Sequence, residues 1–169
     1  DPARYDGLGY GNVSRRLSDR EFIVSGTQTG GIPRLRAEHY CTVTGFALEA
    51  NTLSARGPVR PSSEALTHAA AYAGNPAARY VMHVHSPEIW RYARSLRIPV
   101  TDPAIAYGTQ AMAKAVGALL AGPSCPVIAM GGHRDGLLAA GATAETAALA
   151  LIRLLAEALR LNDASTPGT

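Results

Sequence analysis

His83-Val84-His85 sets two imidazoles two residues apart in a run, Arg79–His85, whose valines, methionine and alternating polar residues favour a strand. Residues two apart on a strand project from the same face, so both rings would point together at a spacing that suits two ligands of one metal ion. The same pair can equally be ordinary, partly buried histidines, and a third ligand decides between the two. His133 is the best candidate, because it follows Gly131–Gly132, where missing side chains let a loop approach something closely. Its plainer reading is a solvent-exposed loop histidine. Three imidazoles leave an open position for a substrate oxygen, which is the arrangement of a catalytic site rather than a structural one. Of the remaining histidines, His39 beside Glu38 reads as a surface residue, and His68 belongs to a helix.

Glu64 falls in the first turn of that helix. A carboxylate there can simply favour the helix dipole, or it can act as a general acid/base or a further metal ligand. His68, one turn on and on the same face, can orient Glu64 or fill the core. Three segments are suited to an anion: Gly11-Asn12-Val13-Ser14, Thr27-Gln28-Thr29-Gly30-Gly31 and Ser62-Ser63. They supply hydroxyls, an amide and free backbone N–H groups, and the serine pair lies at a helix N-terminus. Gly7, Gly9 and Gly11 imitate a nucleotide-binding glycine pattern, but no strand precedes them and no capped helix follows, so a dinucleotide fold is not supported. Asn12-Val13-Ser14 is formally a glycosylation sequence, without relevance in a cytosolic protein. Lys114 is the only lysine. It lies off the apolar face of its helix, whereas Schiff-base chemistry needs a desolvated amine. Carbonyl chemistry here would therefore require a metal.

Several elements must position these groups. The spacing predicts strands at Glu21–Ser25, Tyr40–Phe46, Arg79–His85, Pro126–Met130 and Gly136–Ala140. It predicts a helix over Glu64–Tyr72, with Leu66, Ala69, Ala70 and Ala73 at helical spacing and a serine capping its first turn. Further helices are expected over Pro87–Leu96 and over Thr109–Ala121, where Met112, Val116, Leu119 and Leu120 form the buried face. A long C-terminal helix follows, capped by Thr143, with Ala148, Leu149, Ile152, Leu155, Ala156 and Leu159 on one side. Strands and helices mix without regular alternation, which argues for an α+β or layered α/β sheet rather than a doubly wound one.

The 169 residues, 47% of them hydrophobic, fit one domain spanning 1–169 with an ordinary core. No stretch approaches a membrane span and no signal pattern opens the chain, so we expect a cytoplasmic protein with no membrane partner. The chain begins without Met in loop-like sequence, which suggests that an N-terminal helix is missing. Cys41 and Cys125 are too few and too far apart for a disulfide framework or a zinc knuckle and are expected to be buried thiols. The formal charge of +3 comes from scattered arginines without interleaved aromatics. It fits steering of an anionic small molecule better than nucleic-acid binding.

Taken in order, Gly11-Asn12-Val13-Ser14, Thr27-Gln28-Thr29-Gly30, Pro61-Ser62-Ser63-Glu64 with His68, His83-Val84-His85-Ser86-Pro87, Tyr107-Gly108-Thr109 and His133 followed by Gly136 and Gly141 resemble the class II aldolase/adducin family. The resemblance runs from about Gly11 to the C-terminal helix. It implies a three-layer α/β/α fold around a mainly antiparallel sheet, assembled as a homotetramer with sites between subunits. It also implies that His83, His85 and His133 hold zinc, with Mn, Fe, Co and Ni as other ions that imidazole suits. Glu64 corresponds to the glutamate that handles protons, and Asn12, Thr29, Gly30, Ser62 and Ser63 to positions that hold a substrate phosphate. A metal chelating the hydroxyl and carbonyl oxygens of a small phosphorylated ketose would stabilise the enediolate formed when a carbon–carbon bond breaks. The related epimerases carry aspartate at the Glu64 position, so the resemblance leans toward a lyase.

This chain departs from the pattern in two places. The connection from His85 to Gly108 is short and lacks the tyrosine that the fuculose-phosphate type uses as a proton donor, leaving Tyr107 and Asp102 as nearby substitutes. The third histidine, usually followed by glycine, here reads His133-Arg134-Asp135-Gly136, so the loop beside the metal is reshaped. The alternatives within the family are a dehydratase of a methylthio-sugar phosphate, an epimerase, or a decarboxylase of an oxo acid. A scaffold module like adducin is the non-enzymatic alternative, but such domains generally lose metal ligands that this chain retains.

Overall fold

The computed structural model describes residues 2–121 and 126–165, so the buried thiol expected at Cys125 lies outside the described residues. The strands are β1 (Asn12–Arg16), β2 (Phe22–Ser25), β3 (Tyr40–Ala47), β4 (Thr52–Arg56), β5 (Tyr80–His85), β6 (Val127–Ala129) and β7 (Gly136–Gly141). They form one seven-stranded sheet in the order β4-β3-β2-β1-β5-β7-β6. Every pairing between these strands is antiparallel. The helices are α1 (Ala65–Gly74), α2 (Pro87–Arg91), α3 (Gln110–Leu120) and α4 (Ala144–Ser165).

Period-two alternation along the central strands divides the core into two layers. Val81, Leu138, Ala140 and Ile128 pack with α1 and α3 through Ala69, Met112, Val116 and Leu120. Met82, Val84, Leu137 and Ala139 face the other way, toward Ile89 of α2 and Ala147 and Ala158 of α4. A mainly antiparallel sheet between two helical layers is therefore the architecture of this chain. Among the described residues no helix is long and apolar enough to cross a membrane.

Three local expectations need correction. β1 was not expected as a strand, because Asn-Val-Ser-Arg-Arg has one apolar residue, yet it lies in the sheet between β2 and β5. Its buried polar residue is satisfied laterally: the Ser14 hydroxyl lies 2.6 Å from His68 Nδ1 and 2.7 Å from the Tyr72 hydroxyl. The helix expected over Pro87–Leu96 stops at Arg91, where Trp90 Nε1 donates to the Met130 carbonyl at 3.1 Å and the chain turns, with Arg97 at φ +56°. No serine side chain caps α1. Glu64 holds the N-cap position without a side-chain cap bond, and the Ser62 hydroxyl instead accepts from the Glu64 amide at 3.3 Å. By contrast, Thr143 does cap α4, its hydroxyl accepting from the Thr146 amide at 3.1 Å.

Candidate metal and catalytic site

β5 runs between β1 and β7, and it brings His83 and His85 to the sheet face that α1 and α3 cover. His83 sits opposite Asn12 of β1 and Leu138 of β7, deep in the sheet, whereas His85 sits opposite Gly136 at the strand end. His133 reaches them from the β6–β7 connection because Gly131 and Gly132 let that loop press on residues 101–105. A side chain at Gly132 would collide with the Ile105 carbonyl, and one at Gly131 with the Thr101 carbonyl. Gly136 is needed for the same purpose, since a Cβ there would stand 3.0 Å from the His133 ring.

One ligand nitrogen from each of His83, His85 and His133 lies within 4.8 Å of the others. The donor set fits a divalent cation on two counts. First, the His83 Nδ1–H donates to the Leu137 carbonyl at 2.9 Å, which fixes the tautomer and leaves Nε2 with its lone pair free. Second, both nitrogens of His85 and Nδ1 of His133 are buried without a hydrogen-bond partner, a costly state that a cation would relieve. Burial, reinforced by the neighbouring His133, pulls the His83 imidazole down to about 4. Burial beside His83 and His133 takes His85 down to about 3. His133 is also lowered by burial, against the opposing pull of Glu64 and Asp135. At neutral pH His83 and His85 are therefore neutral bases, as metal ligation requires.

Glu64 is buried beside this cluster. The Thr67 hydroxyl donates to Glu64 Oε2 at 2.6 Å, while Oε1, 3.7 Å from His133 Nδ1, has no hydrogen-bond partner. One oxygen is thus held and the other is available for proton transfer or ligation. His68 does not orient Glu64: it is fully buried and bonded to Ser14.

A cavity of about 220 Å³ opens on His83, His133 and Glu64. Asn12, Ser62 and Ser63, which the resemblance assigns to one phosphate, line it together. Their convergence follows from the backbone, since Ser62 N donates to the Ser25 carbonyl at 3.3 Å and Thr27 N to the Arg60 carbonyl at 3.0 Å. Thr29 and Gly30 do not line this cavity. The Thr29 hydroxyl donates to the Gly26 carbonyl at 2.8 Å, and Gly30 backs onto Gly9 and Tyr10 so closely that a Cβ would meet the Gly9 oxygen at 2.5 Å. Thr27 and Gln28 face the cavity in their place.

Tyr107 also lines the cavity and stacks on His133, with centroids 4.6 Å apart. Asp102, the other substitute for the lost tyrosine, instead accepts from the Ala104 amide at 2.8 Å in a turn. Two residues were missed. Tyr10 stacks on His85 at 4.7 Å, and the Tyr5 ring meets His85 edge-on at 5.5 Å while its hydroxyl donates to Asp135 Oδ2 at 3.1 Å. The only signal for Tyr10 was its place between Gly9 and Gly11, glycines whose backbone approach holds it; Tyr5 had none.

Residues 3–161 match the model of the family described as Class II Aldolase and Adducin N-terminal domain. No match to the sequence is found among curated proteins. Among solved structures, the chain resembles YgbL from Klebsiella pneumoniae, provisionally an aldolase, epimerase or decarboxylase. That alignment has 20% identity and a TM-score of 0.69 and covers 95% of this chain and 82% of that one. It also resembles L-fuculose-1-phosphate aldolase from Thermus thermophilus (20% identity, TM-score 0.65, covering 96% and 89%). A third similar structure is a sugar-phosphate aldolase from Thermotoga maritima, with 14% identity and TM-score 0.69, covering 98% and 92%. At these identities the likeness to solved structures establishes the fold.

Proposed function

The chain belongs to the class II aldolase and adducin N-terminal domain family, and on that premise we propose that it is a divalent-metal-dependent lyase of aldolase type, acting on a small phosphorylated sugar or related hydroxy-carbonyl compound. What carries the reading is the convergence of three imidazoles with a buried carboxylate, one oxygen of which is unpartnered, on the wall of a polar cavity. His83, His85 and His133 would hold the ion, with Zn²⁺ the first choice for three nitrogen ligands. When bound, the ion supplies Lewis-acid polarisation of substrate hydroxyl and carbonyl oxygens.

The chain's own groups supply the rest. Leu137 keeps His83 in the ligating tautomer, and the tyrosine rings of residues 10 and 107 pack against His85 and His133 and limit their rotation. Asn12, Ser62 and Ser63 would hold the phosphate through neutral donors. Glu64 Oε1 would move the proton on the carbon next to the carbonyl, while Thr67 keeps Oε2 in place. Tyr107 is the group we assign to the proton on the aldehyde oxygen: its phenolic oxygen would take that proton from the substrate hydroxyl as the carbon–carbon bond breaks and return it in the condensation direction. A homotetramer and a cytoplasmic setting belong to the same reading.

Exchange of a hydroxymethyl proton of dihydroxyacetone phosphate with deuterated water tests this without a guess at the aldehyde. Metal-loaded wild type should exchange and Glu64→Gln should not. Absence of exchange by the loaded wild type would move the assignment to dehydration or decarboxylation, and equal exchange by both proteins would remove Glu64 from its role.

A further inference from the structure

Glu64 and Asp135 are the buried acidic side chains among the described residues, and both stand beside the three histidines. Carboxylates seldom leave water without a compensating cation. Glu64 lies on the first cavity, with Oε1 3.7 Å from His133 Nδ1. Asp135 lies on the other side of the cluster, lining a second cavity of about 610 Å³ together with His85 and His133. It belongs to the two-residue departure between His133 and Gly136, so its charge enters the site through the altered loop.

The fold fixes that carboxylate in place. Asp135 takes the left-handed backbone conformation at φ +63°, and its carbonyl accepts from the Ser86 amide at 2.9 Å, which ties it to the residue after His85. Its Oδ2 accepts from the Tyr5 hydroxyl at 3.1 Å, while the Tyr5 ring meets His85 edge-on. Arg134 does not neutralise it: Nε stands 3.8 Å away, but that side chain is 91% exposed and water screens its charge. Nor does Asp135 join the group of candidate ligands, which consists of the three histidines.

We propose that Asp135 is an outer-sphere charge partner of the cation held by His83, His85 and His133, balancing together with Glu64 the two positive charges that neutral imidazoles leave uncompensated. A divalent ion among neutral ligands in a buried site keeps its full charge where the dielectric is low, and a nearby fixed carboxylate is felt strongly there. Glu64 alone would leave the site net positive, and the pair makes it neutral. This rests on the three-histidine reading given above.

The test measures zinc affinity, by competition with a chromogenic chelator, for wild type, Asp135→Asn and Tyr5→Phe. Asparagine tolerates the left-handed backbone, keeps the side-chain volume and still accepts from the Tyr5 hydroxyl, so Asp135→Asn removes the charge alone. It should bind zinc roughly 10- to 100-fold more weakly, the scale of groups just outside the ligands. Its metal-free melting temperature should be no lower than that of wild type, because a buried charge has been removed. Tyr5→Phe keeps both the ring on His85 and the carboxylate, so its zinc affinity should stay close to that of wild type. Unchanged affinity in Asp135→Asn would overturn the charge partner alone. Equal losses in both variants, or a lowered metal-free melting temperature in Asp135→Asn, would also overturn it, since the hydrogen bond and not the charge would then be what matters. If wild type binds no zinc, the three-histidine reading fails and the charge partner with it.

Discussion

At the scale of single residues, the site depends on keeping titratable groups dry. Glu64 has one oxygen fixed by Thr67 and one turned toward His133. Glu64→Gln retains the volume, so metal content should hold while turnover drops by about 10²–10⁴-fold, the usual contribution of a positioned acid/base. Metal analysis beside kinetics checks both parts. His68 makes a separate prediction through linkage. Burial holds it down to about 3, far below its ordinary 6.5. Between those values the unfolded chain binds the proton and the folded one does not, so stability is full above 6.5 and falls as pH drops toward 3. The loss has a ceiling of about 1.4 kcal/mol per pH unit for each such group, and His83 and His85 add to it in metal-free protein. Urea unfolding of the metal-free protein between pH 7 and 5 should show this slope, and His68→Gln should make it shallower. An equal slope in both proteins would refute the assignment. Residue identity and spacing made His83, His85 and Glu64 legible. They could not reveal that His68 serves Ser14, because the strand carrying Ser14 has too few apolar residues to be recognised as one.

At the scale of elements, glycine placement decides where the third ligand goes. The close approach of the 131–132 loop to Thr101 and Ile105 follows from a side chain's absence, and that much could be expected from Gly131–Gly132. Gly132→Ala should push the loop away, lowering thermal stability by roughly 1–3 kcal/mol, the usual cost of overpacking, and reducing metal content. A variant with full metal occupancy and an unchanged melting temperature would contradict this. α4 illustrates a limit of periodicity. Leu149, Ile152, Leu155 and Leu159 recur at helical spacing, yet all four are exposed, while the smaller Ala147 and Ala158 face the core with Leu151 and Leu154 beside them. A helix with two apolar stripes carries no local signal as to which one meets the sheet. The partner surface decides that, and here small residues allow the helix to lie close.

At the scale of the whole molecule, the irregular mix of strands and helices pointed to an α+β or layered α/β sheet, but three layers around a mainly antiparallel sheet came only through the resemblance, since strand order and pairing join segments far apart in the chain. The loop contacts that bring Tyr5, Tyr10 and Tyr107 around His85 and His133 arise at this level too, which explains why two of the three escaped notice. The exposed stripe on α4 is a contiguous apolar surface of the kind that marks an association site. The tetramer reading predicts four chains per particle by light scattering at micromolar concentration, and a monomeric mass would count against it. The central claim, that His83, His85 and His133 jointly hold one catalytic cation, is tested most directly by elemental analysis of protein purified with added zinc. Wild type should carry about one ion per chain, and His83→Ala combined with His85→Ala should carry essentially none while keeping its circular dichroism spectrum. Unchanged metal content in the folded double variant would contradict the claim.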